Sequence, residues 1–141
     1  MDGETSLSAI LDHLEPELHS ELYVFCTLEK GRYGDLSHTK PLACFAEAEG
    51  LTLVMSQEQA VREGLRYHGT FRCIHLNVHS SLEAVGLTAA VGSELAKANI
   101  SANMYAGYYH DHVFVPAEDA RAALECLQNI RSSHRFSASD T

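Results

Sequence analysis

The chain predicts an α+β protein of two tandem ferredoxin-like βαββαβ units, each with an antiparallel sheet and helices on one face. Three observations carry this. Apolar residues recur at helical spacing in three separate stretches, and runs rich in β-branched and aromatic residues lie between them. Each half supplies a helix, a two-strand hairpin and a second helix, a repeat at the level of elements rather than residues. The length of 141 residues, 45% hydrophobic and 21% charged, is that of an ordinary globular chain and not of a disordered one.

Ser6 can cap a short helix whose Leu7, Ile10, Leu11 and Leu14 share one face, and Pro16 ends it. The run ELYVFCTL at 21–28 lacks helical periodicity and reads as a largely buried strand. A loop with Gly31, Gly34, Asp35 and Ser37 follows. LACFAEA and GLTLVMS, separated by the polar break Glu49-Gly50, read as two antiparallel strands joined by a tight turn. Ser56 stands three residues before Gln59, the S-x-x-Q form of a capping box, and starts a helix that Gly64 terminates.

In the second half, Phe71 to Val78 alternates, with Ile74, Leu76 and Val78 on one face and Cys73, His75 and Asn77 on the other. Leu87, Val91, Leu95 and Ala98 form a helical stripe that stops at Asn99. A strand from near Ile100, a turn at His110-Asp111 and a strand over His112–Val115 follow. Pro116 then starts the last helix, buried along Ala120, Ala123, Leu124, Leu127 and Ile130. The division expected is 1–66 for the N-terminal unit and 67–131 for the C-terminal unit, with 132–141 a polar tail that frays.

Charge narrows the function. A formal net charge of -9 argues against nucleic acid and anionic membranes, which need clustered Lys and Arg. No stretch approaches the length of a membrane span and no signal peptide is evident. Cys26, Cys44, Cys73 and Cys126 contain no C-x-x-C pair and read as small buried hydrophobes, so the expected setting is the reducing cytoplasm.

The segments VHSSLEAVGLTAAV at 78–91, AGYYHDHVFVP at 106–116 and EAEGLTLV at 47–54 resemble the ACT domain. The closer resemblance is to small standalone proteins that pair two ACT-like units related to the regulatory part of aspartate kinases. It implies a non-catalytic regulatory protein that binds a small molecule, most often an amino acid, and works as a homodimer or with a partner enzyme. It also implies a ligand site at the loop between the unit's first strand and first helix. Carried over to this chain, that loop is Ser81, Val85, Gly86, Leu87 and Thr88, with Ser101, Ala102 and Asn103 at the start of the next strand as the facing wall.

Physical chemistry supports part of this independently. Gly86 lets backbone approach a ligand, and the first N–H groups of the following helix favour a carboxylate; alternatively, Gly86 simply makes the turn and Thr88 caps the helix. Asn103 stands where related domains often carry an acidic residue for the ligand's ammonium. Backbone carbonyls or Glu83 would then have to serve instead.

Other chemistry is poorly supplied. His110-Asp111-His112 could offer two imidazoles on one strand face, but a third metal ligand would have to come from His75, His79 or Asp111 with no recognisable spacing. A His-based metal-dependent enzyme is the remote alternative, and a ligand-free interaction or oligomerisation module is the nearer one. Ser80 and Ser81 beside His79 lack a nucleophile elbow and an orienting carboxylate. Phosphate-cradling glycine motifs are absent. No catalytic residue, metal ligand or cofactor is therefore assigned. The tyrosines Tyr105, Tyr108 and Tyr109 read as packing residues.

Overall fold

The computed structural model describes residues 6–78 and 81–130. His79, Ser80 and the tail from 132 lie outside the described residues. In chain order the elements are α1 (Leu7–Asp12), β1 (Glu15–Leu18), β2 (Tyr23–Leu28), β3 (Ala43–Glu47), β4 (Gly50–Ser56), α2 (Gln57–Arg62), β5 (Phe71–Asn77), α3 (Leu87–Lys97), β6 (Asn103–Ala106), β7 (Asp111–Pro116) and α4 (Ala120–Gln128). The predicted mixed architecture, antiparallel and ferredoxin-like, is the one observed.

The chain packs as two compact units, residues 1–20 with 72–141 and residues 21–71. Strand β1, from the start of the chain, belongs with β5 in the first of these. Its residues pair antiparallel with β5, from Glu15 opposite Asn77 to Leu18 opposite Ile74. Sequence reading ended the first helix at Pro16 and saw no strand beyond it. Proline is tolerated there because β1 is an edge strand, where a missing N–H costs the ladder little.

In this first unit the sheet order is β1-β5-β7-β6. That is the ferredoxin-like order in which the first strand, β5, is flanked by the third, β7, and by a fourth, here β1 from the start of the chain. Ile74 and Leu76 of β5 and Val113 and Val115 of β7 join Val91 and Leu95 of α3 and Ala123 and Leu127 of α4 in one buried cluster. Ile10 and Leu11 of α1 lie in the same cluster. Ser6 caps α1 as predicted, its hydroxyl accepting from the Ala9 N–H at 3.5 Å.

The second unit is the sheet β3-β4-β2 with α2. Both pairings are antiparallel, and the β3–β4 hairpin turns with Glu47 opposite Gly50, at the polar break visible in the sequence. Val24, Cys26, Leu51, Leu53, Met55 and Ala60 form its core. Ser56 caps α2 as predicted, its Oγ accepting from the Gln59 N–H at 3.2 Å.

Candidate functional site

Within the first unit, the loop from β5 to α3 and the turn between β6 and β7 enclose a cavity of about 190 Å³. From the loop side its lining includes Ser81, Gly86, Leu87 and Thr88, and from the turn Ala106, Gly107, His110 and Asp111. Gly86 is the N-cap of α3 with φ +107°, and among the described residues no side chain caps the helix. The first-turn N–H groups at the cavity are therefore not taken by a capping side chain, and they are a ready site for an anionic group. Thr88, the alternative cap in the sequence, lies within the helix.

Gly86 has a further reason to be glycine. A Cβ there would come within 3.0 Å of Leu7 Cδ2 in a backbone conformation that disfavours side chains. Opposite it, the Gly107 N–H donates to the His110 carbonyl at 2.9 Å. A Cβ on Gly107 would press on that carbonyl oxygen, also at 2.9 Å, so the turn closes tightly only with glycine.

The other predicted positions fall outside the lining. Val85 is 82% exposed. Ala102 packs against the apolar core, and Ser101 and Asn103 are exposed. Asn103 begins β6 opposite Phe114, whereas Ala106 ends it opposite Asp111; at about 3.3 Å per residue the two ends of the strand are roughly 10 Å apart. The wall of the cavity is thus the far end of β6. Glu83 is also outside the lining; its N–H donates to Ser81 Oγ at 3.1 Å.

Asp111, which the sequence placed in a scaffolding turn, lines the cavity. Sequence reasoning weighed it only as a metal ligand. The clue available was the AGYYHDH wording itself, in which a glycine turn carries the ionisable pair back beside the α3 loop.

On the face of β5 away from the apolar core, the ring of His75 lies 5.7 Å from that of His19, 4.8 Å from that of His110 and 4.6 Å from that of His112, centre to centre. His19 Nε2 and His75 Nε2 are buried without a hydrogen-bond partner among the described residues. Burial lowers the pKa of His75, and His110 and His19 lower it further, against a smaller opposing pull from Glu17. Burial likewise lowers that of His112, followed by His75, His110 and His19. Among the described residues no three His, Cys, Asp or Glu side chains are arranged to hold a metal ion.

All four cysteines are free. Burial raises the Cys26 thiol and pushes Cys73 up to about 11, so both are protonated, unreactive core groups. No described helix is long and apolar enough to cross a membrane.

The ACT domain family matches this chain twice, over residues 2–72 and 70–129. The chain belongs to the ACT domain family and carries two such domains. Among solved structures it is similar to a Vibrio cholerae protein of unknown function, described as a possible transport protein. The two share 48% identity over 90% of this chain and 97% of the other, with a TM-score of 0.81. The regulatory subunit of aspartate kinase from Thermus thermophilus shares the fold at 10% identity, covering 82% of this chain and 95% of its own, with a TM-score of 0.56. Aspartate kinase from Clostridium acetobutylicum does so at 11% identity and a TM-score of 0.61, over 85% of this chain and 34% of its own. A comparison with curated proteins found no match.

Proposed function

We propose that this protein is a non-catalytic regulatory protein of the cytoplasm that binds a small amino acid in the cavity of its first unit. The observation that carries the reading is the pairing of opposite chemistries across one small space. The start of α3, without a side-chain cap among the described residues, lines it from one side and Asp111, an acidic residue, from the other. An α-carboxylate suits the first and an α-ammonium the second. The volume of about 190 Å³ is below the roughly 300–1,000 Å³ of drug-sized pockets, so a compact side chain fits and an extended one does not. The regulatory folds of the aspartate kinases support the same class of role. Binding regulates only if two arrangements of the protein differ in affinity for the ligand.

The test is a thermal-shift screen against the amino acids. A ligand at about 100 times its dissociation constant stabilises the fold by about 2.7 kcal/mol, and a small amino acid such as glycine, alanine or serine is expected to give the largest shift. Flat melting curves across the whole set would overturn the reading.

A second reading, an interaction module without a ligand, has one observation in its favour. In the second unit Phe45, on the edge strand β3, is 63% exposed and Leu42 just before it is 49% exposed, and an edge with apolar side chains is a template for strand pairing. Sedimentation of a Phe45→Lys variant tests it, since loss of a dimer formed by the parent chain is the expected outcome.

A further inference from the structure

Four imidazoles from distant parts of the chain meet on one sheet face, and the cavity does not account for them. Register brings them there. His75 stands opposite Glu17, and the His19 N–H extends the same ladder to the Cys73 carbonyl at 3.0 Å. His112, in β7, is opposite Tyr105, and His110 belongs to the turn that walls the cavity. The turn Ala106–Asp111 therefore has the cavity on one side and the ring cluster on the other.

We propose that this cluster is a proton-operated latch on the Ala106–Asp111 turn, closed when the rings are neutral and released on acidification. Neutral rings at centre separations of 4.6–5.7 Å attract one another as packed aromatic surfaces. A second proton on the cluster puts like charges at that spacing, partly out of water, where repulsion is strongest.

Charged and titratable groups surround the cluster, and with them in place His75 and His112 still have lowered pKa values. Glu17, on β1, has one oxygen 4.0 Å from His19 Nε2 and the other accepting from Asn77 at 3.0 Å. Arg72, on β5, adds positive charge where its Nε donates to the His19 carbonyl at 2.8 Å. Asp111 sits between His110 and His112 and also lines the cavity. The Cys73 thiol is neutral. The helices α3 and α4 pack in the apolar cluster with the opposite face of the sheet.

The sign follows from His75 and His112. Their pKa values are lowered in the folded protein, so below the ordinary imidazole value of about 6.5 the unfolded state binds more protons. The stability they confer is complete above about pH 6.5 and is lost as pH falls through that value toward their folded pKa values. His110 transmits the resulting strain to the cavity wall, because its carbonyl holds the Gly107 N–H.

The latch needs no ligand to be seen, so its failure is separable from failure of the amino-acid reading. Amide hydrogen exchange of the full chain is measured at pH 7.5 and 5.5, corrected for the intrinsic effect of pH. The Gly107 amide is expected to lose protection at least tenfold at the lower pH, and His75→Gln and His112→Gln to cut that loss to a third or less. Using two variants guards against one that fails to fold. Unchanged protection of Gly107 in the parent chain, or an undiminished loss in the variants, would overturn the latch.

Discussion

Replacing Asp111 by asparagine is the sharpest probe of the cavity, because it removes a charge while keeping the shape. The backbone pairing of residue 111 with Ala106 does not depend on the side chain, so the hairpin stays in register. A hydrogen bond to a charged partner is worth about 1.5–3 kcal/mol and a neutral one about 1 kcal/mol, so the exchange should weaken an ammonium-bearing ligand by about 0.5–2 kcal/mol, or roughly two- to thirtyfold in Kd. Titration calorimetry with whichever amino acid gives the largest thermal shift measures this. Repeating it with the N-acetyl form of that amino acid completes a double-mutant cycle. Acetylation should cost affinity in the parent chain and much less in Asp111→Asn, since the ammonium and its partner are lost together. Parent-like affinity of Asp111→Asn for the free amino acid, with the acetyl form still rejected, would refute the assignment of the ammonium to Asp111.

Two further perturbations test the scaffold. Leu95, fully buried among α3, α4 and the sheet, should cost about 2–5 kcal/mol on replacement by alanine, read as a lower urea midpoint with an unchanged slope. Ser56→Ala removes the cap of α2 and should cost about 1 kcal/mol, whereas Ser56→Asp should largely restore it.

Local chemistry was legible in the residues. Ser6 and Ser56 announced two helix starts, and Glu49-Gly50 marked a hairpin whose register follows from the turn alone. Non-local pairing was not. EPEL at 15–18 has neither periodicity nor β-branched residues, and only the presence of β5 makes it a strand. The same limit applied to the cavity. Ser81, Gly86, Leu87 and Thr88 could be placed from the loop and helix start, but which end of β6 faces them depends on how the hairpin crosses the sheet. The resemblance put the wall at Ser101, Ala102 and Asn103, whereas Ala106 lines the cavity. The ring cluster was further out of reach, since positions 19, 75, 110 and 112 carry no common spacing and meet only through the β1–β5 and β5–β7 pairings.

Recruitment of β1 into the sheet of the first unit has a consequence for the order in which the molecule is made. Glu17 and Asn77, joined by a hydrogen bond, are 60 positions apart. At about 5–20 residues per second, a ribosome leaves the first strand without its partner for several seconds. Residues 21–71 emerge as a contiguous piece during that interval. Collapse of that piece would shorten the effective loop that β1 must close, easing an entropy cost that grows with loop length. Loss of pairing within residues 21–71 should therefore slow maturation of the cavity-bearing unit, and the earliest segment synthesised waits for its β5 partner.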